Sequence, residues 1–197
     1  MVKNTKQVLG DTLKELLKEK PIDRVTVKEL VEKCGYNRQT FYYHFYGVDD
    51  LLAWVFEQDA NKALPETINS DTVADGWREC VVIYFKYLKD NASTVLNVYQ
   101  SGKRSYMIDY FRTRLKGVIQ QFANLATADM NVSWEDMEFV VDFYTQTVTG
   151  LIVMWMENNL VLPPLYTEER CLKALEGTIE RLTERIVELS NDKASEK

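Results

Sequence analysis

The side chains with the clearest chemical potential lie in one short stretch, NRQTFYYH, at residues 37–44. Arg38 and Gln39 can each form paired hydrogen bonds with the edge of a base in a DNA groove. Hydroxyl and imidazole groups are suited to phosphate oxygens. Four neighbouring residues supply such groups: Thr40, Tyr42, Tyr43 and His44. Base-reading and phosphate-binding groups in one segment indicate a surface that contacts nucleic acid.

Two short helices separated by a glycine are predicted to position this segment. In the first, apolar residues recur at steps of three and four and share one face: Val27, Leu30, Val31 and Cys34. Thr26 is suited to cap the start of that helix, and Gly35 is suited to end it. Asn37 is suited to cap the second helix, in which Phe41 and Phe45 lie one turn apart and can face a core. The pattern predicts a helix-turn-helix.

Helix pairs of this kind also occur in proteins that bind no DNA, so the aromatic residues could simply be packing. A helix that served only as core would not present Arg38, Gln39 and Tyr42 together. We therefore expect Arg38 and Gln39 to read bases and the hydroxyl and imidazole groups to hold phosphates. Thr26 and Lys28 are further candidates for backbone contact, because free N–H groups at a helix start favour an anion.

Residues 1 to about 59 resemble the DNA-binding domain of TetR-type transcriptional regulators. The resemblance rests on the leading helix and on the segments TVKELVEKCGYN, TFYYHF and DDLL. The segments RQTFY and LLAWVFEQD are most similar to the subgroup that activates dihydroxyacetone kinase operons. The resemblance implies an operator in double-stranded DNA, a homodimer formed through the final two helices, and a small-molecule effector in the body. One departure is Val48, where the family usually has a lysine that contacts phosphate.

Composition indicates an ordinary soluble protein of one or two domains. The chain has 197 residues, of which 46% are hydrophobic and 27% charged. Its longest apolar run, Leu151 to Met156, is far shorter than the roughly 20 residues that span a bilayer. We expect a cytoplasmic protein with no membrane partner. Three scattered cysteines predict neither a disulfide framework nor a metal site, and no cofactor is expected.

The charge is distributed unevenly along the chain. Residues 1–48 hold nine Lys or Arg and six Asp or Glu, a net charge of +3. The whole chain carries −6, which leaves −9 on residues 49–197. A basic head on an acidic body is compatible with local DNA contact.

The periodicity predicts an all-α protein of about nine helices. The predicted divisions are a three-helix head at 1–48, a connecting helix at 49–64, a helical body at 65–190 and a polar tail at 191–197. Pro65 to Ser70 is the predicted joint.

The last two helices are predicted to pair with those of a second copy. The penultimate helix is apolar around most of its girth from Phe139 to Met156, so it must be buried on several sides. The last has a heptad spacing that includes Leu189, although packing on its own core explains that spacing equally well. A four-helix bundle would place two recognition helices about one DNA turn, roughly 34–36 Å, apart. Its predicted contacts are Tyr144, Leu151, Trp155, Leu172, Leu175, Ile179, Leu182 and Ile186.

An effector pocket is predicted inside the body, where aromatic residues with polar tips accompany an apolar interior. The alternative is that these residues are ordinary core whose hydroxyls bond nearby carbonyls. The candidates are Trp77, Tyr84, Tyr87, Tyr110, Tyr144 and Thr147.

Two other functional classes are less well supported. An enzyme is not expected, because the sequence has a single histidine, His44, and lacks a catalytic triad, a phosphate loop or a metal cluster. The other alternative is an all-helical partner-binding protein or coactivator that has lost autonomous DNA reading, which Val48 keeps open.

Overall fold

A computed structural model describes residues 4–63, 73–161 and 168–195. The described residues form ten α-helices and a short 3₁₀ turn at Ile22–Arg24, with no strand among them, so the all-α prediction is confirmed. The helices are α1 Thr5–Glu19, α2 Val27–Cys34, α3 Arg38–His44, α4 Val48–Ala63, α5 Val73–Asp90, α6 Ala92–Tyr99, α7 Arg104–Ala126, α8 Trp134–Glu157, α9 Glu168–Leu175 and α10 Thr178–Ser195.

The chain divides into two compact units. The head unit contains α1 to α4 together with residues 87–107, which include α6. The body unit contains α5 up to Lys86, α7 from Ile108, and α8 to α10. Sequence periodicity placed residues 87–107 in the body, whereas the structure groups them with the head. The predicted joint at Pro65 to Ser70 lies outside the described residues.

The head unit is built around α1. Its apolar residues recur on one face and are fully buried against α2, α4 and α6. Two side-chain to backbone bonds hold residues 87–107 to this core. Asn97 Nδ2 donates to the Leu17 carbonyl at 2.7 Å, and the Gly102 N–H donates to Asp23 Oδ2 at 2.8 Å. These bonds explain why α6 belongs to the head.

A buried carboxylate joins three helices of the head unit. Asp59 on α4 is 6% exposed and accepts hydrogen bonds from Lys14 Nζ on α1 and from the Tyr87 hydroxyl on α5, the latter at 2.8 Å. A buried charge is tolerated when it is paired and hydrogen-bonded in this way. Tyr87, a predicted pocket residue, is therefore a structural partner of Asp59 within the head.

The longest helix of the body unit, α8, carries much of its core. By length and composition α8 would pass as a membrane span, but a buried core helix passes the same test, and 44% of that window is buried within the protein. The buried residues of α8 are Val140, Val141, Tyr144, Thr145, Thr149, Ile152, Trp155 and Met156.

The last predicted helix is in fact two helices. Gly177 has φ +66°, a left-handed conformation that favours glycine, and it separates α9 from α10. The heptad spacing from residue 172 to residue 189 therefore does not run along one continuous helix. This break accounts for ten helices where about nine were predicted.

Candidate functional site

The turn between α2 and α3 has the capping geometry that its sequence predicts. Thr26 Oγ1 accepts from the Glu29 N–H at 3.2 Å, and Asn37 Oδ1 accepts from the Thr40 N–H at 2.8 Å. Gly35 adopts φ +75° and ends α2. The predicted start of α2, its end and the start of α3 are thereby confirmed.

The inner face of α3 is anchored by two phenylalanines. Phe41 is 0% exposed and Phe45, just beyond the helix, is also buried, with their ring centroids 6.0 Å apart. The Phe45 ring meets Trp54 of α4 edge-on at 5.9 Å. A helix of only seven residues is marginal alone, so this packing must hold α3 in place.

The outer face of α3 is polar and open. Arg38 and Gln39 are exposed, and Arg38 has no carboxylate within 4 Å among the described residues. Tyr42 is 58% exposed and Tyr43 is 84% exposed. Positions 38, 39, 42 and 43 lie on one side of a helix, because residues three and four apart are neighbours. The structure brings these four predicted residues together on one surface, which we call the α3 reading face.

The remaining residues predicted to contact DNA differ in their exposure and in their hydrogen bonds. Thr40 Oγ1 lies 3.0 Å from Asn37 Oδ1 and donates its hydroxyl proton there, so it can offer a phosphate no donor in this arrangement. His44 is half-buried, with its ring 4.9 Å from that of Tyr43. Thr26 and Lys28 are exposed at the start of α2. Lys28 makes a 3.9 Å contact with Glu32 that is open to solvent and correspondingly weak.

Loss of the α3 cap should loosen this face. We expect Asn37→Ala to lower the free energy of unfolding by about 1 kcal/mol, because the Thr40 N–H loses its acceptor. Urea denaturation followed by circular dichroism measures the change. Asn37→Ser, which restores a capping oxygen, should recover most of the loss. Equal destabilisation by both variants would contradict the capping role.

In the body unit only some of the predicted pocket residues lie close to one another. The rings of Tyr84 and Tyr110 each lie 5.9 Å from that of Phe111. Burial raises the pKa of the Tyr84 hydroxyl strongly, with a smaller contribution from Tyr110, so it remains a proton donor. Tyr144 is buried, and its pKa is raised mainly by burial.

Thr147 and Trp77 are the two remaining predicted pocket residues of the body unit. Thr147 is exposed and donates to the Phe143 carbonyl of its own helix at 2.8 Å, so it does not line the interior. The Trp77 side chain lies outside the described residues.

Several buried donors in the body have no hydrogen-bond partner within the described parts of the chain, among them the Tyr84 hydroxyl, Arg112 Nε, Thr149 Oγ1 and Trp155 Nε1. Thr149 is unusual for its helix. Thr145 donates to the carbonyl four residues earlier, at 2.7 Å, whereas Thr149 does not. The sequence analysis did not list Thr149 among the pocket residues, and it placed Trp155 at a subunit interface. The signal that could have indicated Thr149 is that threonines interrupt an otherwise apolar helix.

Thr149 also lies on a narrow apolar groove between α7 and α8. The groove is too narrow in this structure to admit a water molecule. Its lining residues are Ile108, Phe111, Leu115, Thr149, Ile152, Val153 and Met156.

Comparison with models of known protein families identifies the family of this chain. Residues 11–55 match the model described as bacterial regulatory proteins of the tetR family. Residues 75–177, just over half of the chain, match the model described as a transcriptional regulator C-terminal region. The chain belongs to the TetR family. It is therefore a transcriptional regulator with a helix-turn-helix DNA-binding domain, as the α2 and α3 residues predicted.

The chain is also similar to individual known proteins. The chain is 28% identical over 87 residues to the HTH-type dhaKLM operon transcriptional activator DhaS of Lactococcus lactis subsp. lactis (strain IL1403). That alignment spans 44% of each chain. A solved structure described as dihydroxyacetone kinase operon activator DhaS matches the fold with a TM-score of 0.58 and 18% identity, covering 94% of this chain and 93% of the other.

Proposed function

We propose that this protein binds an operator as a homodimer, with α3 in the major groove, and responds to a small-molecule effector in its body unit. The observation that carries the proposal is the exposure of Arg38 and Gln39 on a helix whose opposite side is anchored by Phe41. That orientation leaves the guanidinium and amide groups free to meet base edges. It also disfavours the alternative of a helix-turn-helix protein that reads no DNA. Regulators of this family are generally not enzymes, and we propose that the protein acts in the cytoplasm.

Selection from a random-sequence duplex library tests the DNA-binding proposal. We expect enrichment of a two-fold symmetric site whose half-sites are about one helical turn apart. Fluorescence anisotropy should then give binding that is much tighter to the selected duplex than to a scrambled one. Failure to enrich any sequence at low salt would contradict the proposal.

The predicted dimer contacts need revision, because several of them face the core of their own chain. Tyr144, Trp155 and Ile179 are buried within the protomer and cannot meet a second copy in this arrangement. Trp155 stacks on Phe85 with ring centroids 4.7 Å apart. Of the remaining contacts, four are half-buried, namely Leu151, Leu175, Leu182 and Ile186, and the Leu172 side chain lies outside the described residues.

A different face of α8 is available for pairing. Phe139 and Phe143 are about half exposed, at 52% and 49%, and their rings are stacked with centroids 6.4 Å apart. Gln146, Thr147 and Gly150 continue the same exposed side. We define these five residues as the outer face of α8 and propose that it forms the dimer contact.

Phe143→Glu should convert the dimer to a monomer, because a carboxylate at the centre of an apolar contact loses its hydration without gaining a partner. Sedimentation velocity measures the change. Leu125→Glu on α7, where the leucine is 51% exposed, is the matched control and should remain dimeric. A dimer that survives Phe143→Glu would place the interface elsewhere.

The unpartnered donors support the effector proposal. A buried donor without an acceptor costs about 1–3 kcal/mol, so several in one unit call for an explanation. A neutral ligand with an acceptor oxygen in the α7–α8 groove would supply a partner for Thr149, the one of these donors that lines the groove. Since the α7–α8 groove is too narrow for a water molecule, we propose that a ligand widens it, which would link its binding to a change of conformation.

A thermal-shift screen of small neutral oxygen-bearing compounds tests this step. A ligand should raise the melting temperature of the wild type and have less effect on Thr149→Val, which removes one donor while keeping the shape. Equal shifts in both proteins would show that Thr149 takes no part.

A further inference from the structure

Tyr46, directly after α3, is nearly uncovered by the rest of the protein. Its side chain is 96% exposed, the largest value among the exposed apolar and aromatic residues of the described chain. A single exposed aromatic residue needs no explanation. Here, however, three exposed tyrosines occur within five positions, because Tyr42 and Tyr43 precede it. Tyr46 lies just beyond the end of α3, after the extended residue Phe45, in the turn that leads to α4.

The backbone at Tyr46 is fixed although its side chain is free. The Tyr46 N–H donates to Asp50 Oδ2 at 2.9 Å, across the turn that joins α3 to α4. A ring held at its base, with an unhindered hydroxyl at its tip, can reach a phosphate with little loss of backbone entropy.

The acidic residues of this turn are already engaged. Asp50 accepts the Tyr46 N–H, and Asp49 is paired with Lys103 Nζ at 2.5 Å. That hydrogen bond raises the pKa of Lys103, which keeps the partner of Asp49 charged. The charge of Asp49 is therefore compensated by Lys103, whereas Asp50 is held by a backbone N–H that carries no net charge.

Several lysines of the head are already engaged by carboxylates, although Lys28 is exposed and Lys6 Nζ lies 5.5 Å from the centre of the Phe45 ring. Lys14, Lys20 and Lys33 are each paired with a carboxylate of the same chain. Position 48 is occupied by a half-buried valine, which offers no donor. On α3 itself the cationic side chain is Arg38, which we assign to base reading.

We propose that Tyr46 is a positioning residue of the DNA interface, whose hydroxyl donates to a backbone phosphate beside the groove that α3 enters. It performs with an uncharged donor the role that a lysine at position 48 would perform with a charge. Tyrosine hydroxyls are normal phosphate donors. This inference rests on the proposed operator binding.

Salt dependence distinguishes an uncharged donor from a cation. Each cation that neutralises a phosphate contributes about 0.9 to the slope of log K against log salt. Tyr46→Phe should weaken binding of the selected duplex and of a scrambled duplex alike, by about 10- to 150-fold for each protomer, since one hydrogen bond to a charged group is lost there. The salt slope should stay unchanged. Lys28→Gln, in contrast, should lower the slope by about 1 for each protomer.

Anisotropy titrations of both duplexes at several salt concentrations carry out the test. Trp134→Ala, at an exposed aromatic residue of the body unit, is the control and should bind both duplexes as the wild type does. The proposal is overturned if Tyr46→Phe and Tyr46→Ala bind within twofold of the wild type, if they lose the selected duplex alone, or if they change oligomeric state. Failure of the wild type to bind any duplex would refute the proposed function itself, which is a separate result.

Discussion

Phe41→Ala should destabilise the protein by about 3–5 kcal/mol, the cost of removing a fully buried aromatic ring and leaving a cavity. Phe41 connects the seven-residue α3 to the head core, so its loss should also abolish operator binding. Urea denaturation followed by circular dichroism gives the free energy of unfolding.

Tyr43→Ala is the matched control for Phe41→Ala, because it removes an aromatic ring from the same helix at an 84% exposed position. It should leave stability within about 0.5 kcal/mol of the wild type, as surface substitutions generally do, and weaken only DNA binding. Similar stability for the two variants would mean that α3 does not use Phe41 as its anchor.

Replacing Arg38 should have the largest direct effect on recognition. Arg38→Ala is expected to weaken binding to the selected operator by about 1–3 kcal/mol for each half-site and to relax the preference at one base pair. Arg38→Lys separates charge from geometry. A lysine keeps the positive charge but lacks the planar fork that contacts two atoms of one base, so it should retain scrambled-duplex binding while losing discrimination.

Competition titrations with single-base variants of the operator measure this loss of discrimination. Arg181→Ala on α10 removes an exposed arginine from the body unit and should change neither quantity. If Arg38→Ala kept the full base preference, Arg38 would not be a base reader, and Gln39→Ala would become the deciding variant.

The head could be predicted closely from sequence because its signals are local. Thr26, Gly35 and Asn37 act within one helical turn of their own positions, and each has the predicted role. Phe41 and Phe45 follow helical spacing and are buried as predicted. The grouping of α6 with the head could not be predicted in this way, because it depends on long-range bonds such as Asn97 to the Leu17 carbonyl.

The body was harder to predict because α8 is apolar on most sides. Periodicity shows which face of an amphipathic helix is buried, but an almost uniformly apolar helix does not reveal which side meets its own chain and which meets a partner. Trp155 was therefore assigned to a subunit contact, although it is buried within the protomer, while Phe143 on the open side was passed over. The break at Gly177 was missed because the leucine and isoleucine spacing continues across it.

Hydrogen–deuterium exchange with and without the selected operator is the most direct test of DNA recognition through α3. Binding should slow amide exchange from Asn37 to Tyr46, and also at the start of α2, because the duplex covers those surfaces. The outer face of α8 in the dimer should exchange as it does without DNA. Unchanged exchange across α3, with slowed exchange on the body helices instead, would contradict the assignment of the α3 reading face to DNA.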